Sequence, residues 1–232
     1  MHRKDQTSVK IAALLLPIAF LNSPFLSSPG IRPSAQFPAV FHDSPPVQIA
    51  IWNRRPRRPL GTRGTCPIAP GLLGKRLIWH ERPLFLWQGR GVELRVRDRA
   101  TSQVIWRQAL EAAQESAVYS GTIPLQPGKL YQWQVTGRSD NWHTFDMMPT
   151  AQRQTIAAEL QSLERQQQSM GASPEAIALK KAEFFADQEL WSDALQTVFE
   201  VNNPSTAFVE QQEAYVRSLC TVSSATVSIE GK

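Results

Sequence analysis

An α+β architecture is what this sequence predicts: a small antiparallel β-sandwich followed by a C-terminal segment of three to four helices. Three observations predict it. Between residues 83 and 148, short runs rich in Val, Ile, Trp and Tyr recur at roughly ten-residue spacing between turn residues, as in a small all-β unit. From Thr150 onward the apolar period becomes helical. The chain's two cysteines, Cys66 and Cys220, stand at opposite ends of this stretch.

The N-terminus is a separate element. Arg3, Lys4 and Lys10 form a basic region ahead of an apolar run from Ile11 to Leu21 that Pro17 interrupts. The run falls short of the ~20 apolar residues that a membrane-spanning helix needs. Residues 1–35 are therefore expected to be a signal peptide, cut after Ala35, with no transmembrane span once it is removed. Export, to a periplasmic or extracellular location, follows from that reading. Residues 36–99 carry 12 basic and 4 acidic groups and residues 100–232 carry 9 and 15, so charge is polarised along the chain.

Residues 36–76 are rich in Pro, Gly and Arg and poor in large apolar groups, which predicts an extended arm or linker. Only PAVFHDSPPVQIAIWN within it has strand character. No repeat of 20 to 50 residues is visible, which excludes solenoids and propellers.

The β unit, residues 77–149, contains the runs PLFLWQG, GVELRVRD, QVIWRQAL, AVYSGTI, KLYQWQV and WHTFDMM. Leu94 and Val96 alternate with Glu93, Arg95 and Arg97, and Tyr131, Trp133 and Val135 alternate with Gln132 and Gln134. Period-2 alternation places one face on a core and the other in water. The segment PLQPGKLYQWQV resembles immunoglobulin-like modules, with Pro-Gly making the turn and Tyr131 near the start of the next strand.

The helical segment, residues 150–220, divides at its caps. Ile156, Leu160, Leu163 and Met170 share one side of a first helix that Gly171 can end. Ser173 and Pro174 suit the N-cap and first turn of a second. Trp191, Ala194, Leu195, Val198 and Phe199 follow the i, i+3, i+4, i+7, i+8 pattern of an amphipathic third. Pro204 is expected to open a fourth, with Phe208, Tyr215 and Leu219 inward, before a flexible tail at 221–232. The second and third helices are similar to a tetratricopeptide hairpin, although Lys181 stands where a core leucine is usual, and one hairpin alone forms no solenoid groove.

Taken together, RGTCP, ERPLFLW, ELRVRDRATSQVIWRQAL, LQPGKLYQWQV and ADQELWSDALQTV resemble a family of uncharacterised exported cyanobacterial proteins with a cysteine-containing arm, a short β domain and a C-terminal helical segment. The late motif is Leu190, Trp191, Asp193, Ala194 and Leu195. The resemblance spans most of residues 63–200. The chain departs from the family in lacking a cysteine-bearing stretch after the Tyr-x-Trp strand and in its loop around Asp140. The resemblance implies the layout and the compartment, and no catalytic residue.

The candidate chemistry is sparse. In an oxidising compartment Cys66 and Cys220 suit a disulfide; two unpaired thiols, or a Cys66 thiolate activated by nearby arginines, are the other options. Asp140, His143 and Asp146 are spaced three apart, which a strand splits between its faces, so a surface hairpin is expected rather than a metal site. His80 and Glu81 suit a turn. Most tryptophans occupy core positions, and Trp142 and Trp52 are the two expected to be exposed. No phosphate loop, nucleophile elbow, His-Glu-x-x-His or Cys-x-x-Cys is present.

Arg54, Arg55, Arg57, Arg58 and Arg63 form the candidate anion-contact surface, or else dock on the chain's own acidic half. The expectation is a non-enzymatic exported module without metal or cofactor, acting on a protein partner or the cell envelope. Its alternative is binding of an anionic polysaccharide or lipid headgroup through the arginine arm; a thiol or hydrolytic enzyme comes third. Nucleic acid is not among the expected partners.

Overall fold

A computed structural model describes residues 50–56, 65–137 and 141–221, all within the compact unit Pro46–Lys232. A single helical turn, α1 (Ala50–Asn53), precedes strands β1 (Cys66–Ala69), β2 (Leu77–Ile78), β3 (Leu84–Gln88), β4 (Glu93–Asp98), β5 (Val104–Ala109), β6 (Ser116–Val118), β7 (Leu130–Val135) and β8 (His143–Met147). Helices α2 (Thr150–Ser169), α3 (Pro174–Asp187), α4 (Trp191–Phe199) and α5 (Thr206–Cys220) follow. The fold is α+β, with two sheets. One has the order β1-β3-β6 and the other β2-β8-β7-β4-β5, with β2 and β8 parallel and the other neighbours antiparallel.

The layering is written in β3. Its first four residues, LFLW, are all apolar and buried because both faces are covered. Phe85 and Trp87 join Leu94, Val96, Trp133 and Phe145 in a core shared by the two sheets. Leu86 points the other way, into a second core with Leu179, Phe185, Leu195 and Phe208 of the helices. Each such fully buried apolar side chain contributes about 1.5–3 kcal/mol.

The six strand runs and the four helices occupy the expected segments, with four differences. Cys66–Ala69, read from sequence as arm, is strand β1, paired with β3, and Ile68, Ala69 and Leu73 are fully buried. Of the stretch 38–53 given strand character, residues 38–49 lie outside the described residues, and Ala50–Asn53 form helix α1 with Ile51 fully buried. A few apolar groups inserted between sheet and helices suffice to order a segment whose average composition is that of a linker.

Gln132 and Gln134 of β7, expected in water, are 8% and 5% exposed. β7 lies between β4 and β8, and long neighbouring side chains roof it. The Gln132 amide is satisfied there, accepting from Arg97 Nε at 2.8 Å and donating to Thr144 Oγ1 at 3.0 Å. Finally, Met170, expected inward, is 62% exposed, because it caps α2 beyond the last turn that touches the core.

The helix ends follow local chemistry. Gly171 adopts φ +73°, and the N–H groups of Gly171 and Ala172 close back on Gln168 and Gln167, so the left-handed residue terminates α2. Ser173 caps α3 by accepting from Ala176 N at 3.2 Å. Ser205, not Pro204, caps α5, accepting from Phe208 N at 3.3 Å. Among the described residues no helix is long and apolar enough to cross a membrane.

Cys66 and Cys220 form a disulfide across a sequence separation of 154, with their Cα atoms 6.1 Å apart. It joins β1 to the last residue of α5. Beside it, α1 docks on α5: Trp52 packs edge-on against Phe208 and Tyr215, and the Tyr215 hydroxyl donates to Arg54 O at 3.0 Å. Trp52 is thus half-buried rather than exposed, as is Trp142.

Breaking the bridge, by reductant or by Cys220→Ser, is expected to lower unfolding free energy by about 5 kcal/mol, the chain-entropy value for so long a loop; urea unfolding with and without reductant measures it. Burial raises the Tyr215 phenol from 10.0 to about 12, against a smaller opposing effect of Arg55 and Arg54. The unfolded phenol ionises first, so stability is full below pH 10 and falls as pH rises through the window from 10 to about 12. Stability measured across that window should fall less steeply in Tyr215→Phe.

Candidate functional site

α4 is buried on nearly all sides, including its polar positions. Ser192, Asp193, Gln196 and Thr197 are each less than 9% exposed. Sequence periodicity identified the apolar stripe of α4 and gave no role to these residues. Ser192, Asp193 and Gln196 pair with backbone that enters the sheets. Ser192 Oγ accepts from Gly71 N at 3.1 Å. Gln196 accepts from Leu84 N at 2.8 Å and donates to Arg82 O at 2.9 Å, fixing the start of β3.

Asp193 is 0% exposed and holds the segment after β2. Its carboxylate accepts from Trp79 N at 3.0 Å, from His80 N at 3.0 Å and from the His80 ring at Nδ1, 2.7 Å away. A carboxylate only accepts, so Nδ1 carries a proton, and in the neutral ring Nε2 is then the acceptor. Three donors, and a position in the first turn of α4 where the helix dipole favours negative charge, compensate for burying the carboxylate.

Nε2 faces a groove of about 670 Å³ between α2, α3 and the end of α4. Trp79 and His80 form its floor, Leu160, Ile177 and Phe185 are among its apolar walls, and Lys181 and Glu164 face each other at 3.4 Å across its rim. Lys181, where a packed hairpin would carry leucine, thus marks the edge of an opening. Glu200 Oε2 lies 3.8 Å from His80 Nε2, while Glu200 Oε1 accepts from Gln196 Nε2 at 2.6 Å. Arg153 braces the other side of the floor: its Nε donates to Trp79 O at 2.8 Å, its Nη1 pairs with Glu81, and Trp79 Nε1 donates to Arg153 O at 3.1 Å.

The chemical capacity is that of a fixed imidazole beside a carboxylate in a cleft of mixed apolar and polar lining. Among the described residues no serine, cysteine or lysine is hydrogen-bonded to His80. Thr197, which also lines the groove, donates to Asp193 O at 2.8 Å. No group of three His, Cys, Asp or Glu able to hold a metal occurs among the described residues. The site was missed in the sequence because His80 and Asp193 lie 113 residues apart; the one signal was a charged residue inside the otherwise apolar motif Leu190, Trp191, Asp193, Ala194, Leu195.

The sequence-predicted sites fare differently. Cys66 is in the disulfide and offers no thiol. Arg54 pairs with Asp187 at 2.6 Å and lies over Trp191, and Arg55 donates to Ser218 at 2.6 Å. Both thus dock on the chain's own helices, while Arg57, Arg58 and Arg63 lie outside the described residues. Asp140 also lies outside them. His143 packs on Trp133, its centroid 5.3 Å away, and burial depresses its pKa.

Residues 71–225 match the family described as Domain of Unknown Function (DUF928), a stretch that takes in His80, Asp193 and the groove. Comparison with the curated proteins gives no match.

Asp193→Ala leaves the N–H groups of Trp79 and His80 without an acceptor and is expected to destabilise the protein by about 2–5 kcal/mol. His80→Gln, which keeps both backbone bonds, should cost less. Urea denaturation of the two variants checks the order.

Proposed function

The chain belongs to the DUF928 family, and we propose that it is a non-enzymatic exported module that binds a segment of a protein partner in the groove between α2, α3 and α4. The observation that carries this reading is the His80–Glu200 pair. An imidazole locked through Nδ1 presents Nε2 as an acceptor when the ring is neutral, a carboxylate stands beside it, and apolar and polar side chains share the walls. Such a floor suits a basic side chain or backbone N–H carried on an otherwise apolar segment, and the volume lies within the range of ordinary ligand sites. Catalysis by the same imidazole needs a nucleophile or a held water, and no side-chain nucleophile bonds to it among the described residues.

Export is supported by the basic and apolar N-terminal segment and by the disulfide, since such bonds persist in oxidising compartments. The resemblance to exported cyanobacterial proteins agrees with it. We further read the two sheets as an immunoglobulin-like sandwich. Their shared core supports this, as does the Tyr131 hydroxyl, which accepts from Gln126 N at 3.1 Å across the Pro127–Gly128 turn in the manner of a tyrosine corner. Polyanion binding by Arg54, Arg55, Arg57, Arg58 and Arg63 is the weaker reading, because two of the five are engaged within the protein.

A photoreactive amino acid at Gln161, on the groove wall, tests the proposal in the native compartment. A discrete protein adduct is expected, and it should disappear when Glu200→Lys reverses the charge of the floor. An adduct indifferent to that substitution contradicts groove binding. Ester or amide turnover abolished by His80→Gln would replace binding with catalysis.

A further inference from the structure

We propose that the solvent face of the five-stranded sheet binds a polysaccharide bearing carboxylate groups, through the guanidinium groups of Arg95, Arg97 and Arg107. This surface is distinct from the helical groove and from the arginine arm, and it does not depend on the partner proposed for the groove.

Strand register assembles the site. Leu94 and Val96 enter the core, so Arg95 and Arg97 point outward from β4. Arg107 of β5 lies directly opposite Arg95, and Gln134 of β7 lies opposite it on the other side. Arg97 lies opposite Gln132, which lies opposite Thr144 of β8. One face thus carries three guanidiniums, side by side across two strands and alternating along one. Opposite residues are about 5 Å apart, and alternate residues along a strand about 6.8 Å.

Like charges directly opposite one another destabilise a sheet, and Arg95 and Arg107 are such a pair. Glu93 offsets part of the charge through Arg95 Nε. Arg107 is exposed and has no salt bridge among the described residues. The other carboxylate on this face, Asp146, lies at the far end of β8, beyond Thr144.

The guanidiniums are also held in place. Arg95 is fixed at Nε by Glu93. Arg97 donates from Nε to Gln132 at 2.8 Å, and its guanidinium lies 4.0 Å above the Trp142 ring centroid. Among the described residues no bond takes the terminal amino groups of either, and part of the side-chain entropy is already lost. A guanidinium meets a carboxylate through two parallel, charge-assisted bonds.

The surroundings select among anions. A peptide adds to an open strand edge rather than to a sheet face. A lipid surface is met by several apolar side chains interleaved with basic ones, whereas here the exposed Ile105 of β5 stands among polar neighbours, the buried Gln132 and Gln134 and the half-buried Thr144. A flat, mainly polar face whose available donors are the guanidiniums fits a stiff chain of hydroxyls with carboxylates at intervals.

Electrophoresis of the full disulfide-bonded chain through gels containing polygalacturonate, or neutral dextran of matched length, tests this. Polygalacturonate should retard the protein, dextran should not, and added salt should abolish the retardation. The double substitution Arg95→Gln/Arg107→Gln should weaken retention about tenfold or more by removing two forked contacts. Arg95→Lys/Arg107→Lys, which keeps the charge and guards against a folding defect, should fall between. Substitution of Arg54, Arg55, Arg57, Arg58 and Arg63 by glutamine should leave retention unchanged.

The proposal is overturned if polygalacturonate does not retard the protein, if the double glutamine variant is retained as well as the wild type, or if only the arm variant loses retention. Binding to phosphatidylglycerol vesicles that the double variant loses, without retention by polygalacturonate, would assign the face to lipid instead.

Discussion

Asp193 is wholly inside the protein, yet it accepts from two consecutive backbone N–H groups and from the His80 ring. Those bonds tie α4 to the chain between β2 and β3. Because β2 belongs to one sheet and β3 to the other, a single carboxylate sets where the helical layer sits on both. Gln196, one turn later on α4, repeats the arrangement at the start of β3. A helix that packed only through Trp191, Leu195 and Val198 could rotate or slide on an apolar surface. Directional bonds to named backbone atoms remove that freedom, and an unpaired partner on either side costs about 1–3 kcal/mol.

The same arrangement makes the groove. α3 and α4 pack closely through Ala182, Ala194 and Val198, while α2 is anchored near its start, where Ile156 and Leu160 are its buried residues and Arg153 grips the Trp79 carbonyl. The outer part of α2 stands away from α3, and the Glu164–Lys181 pair bridges the gap. At the opposite corner the Cys66–Cys220 bond and the α1–α5 contacts close the helical layer onto β1. Layer positions are therefore fixed at two places, by buried polar bonds and by a covalent bond, and the groove opens between them.

What could be read from the sequence was whatever periodicity encodes. The alternation of β4 and the apolar stripe of α4 placed the right residues inside, and Ser173 and Gly171 marked helix ends through local hydrogen bonding. β1 was hidden because CPIAPG lies in a stretch whose proline and arginine content describes a linker, and its burial depends on partners far along the chain. Gln132 and Gln134 alternate as water-facing residues do; their cover comes from Arg97 and neighbours on other strands. His80 and Asp193 are each unremarkable locally, and only folding makes them a pair. Cysteine arithmetic, by contrast, needed no geometry: with two cysteines in a chain expected to be exported, the bridge was the simplest outcome.

On the proposed reading, a module with a locked imidazole on one layer and a cationic sheet face on another acts by contact, and both surfaces take their geometry from packing fixed elsewhere. That account stands on the His80 ring being held by Asp193 with Nε2 turned to the groove. The most direct measurement is the tautomer of His80, read from two- and three-bond ¹⁵N–¹H correlations of the neutral ring in the disulfide-bonded protein. The account predicts a single Nδ1–H tautomer that persists in Glu200→Gln. An Nε2–H tautomer, or rapid averaging between the two, would contradict it.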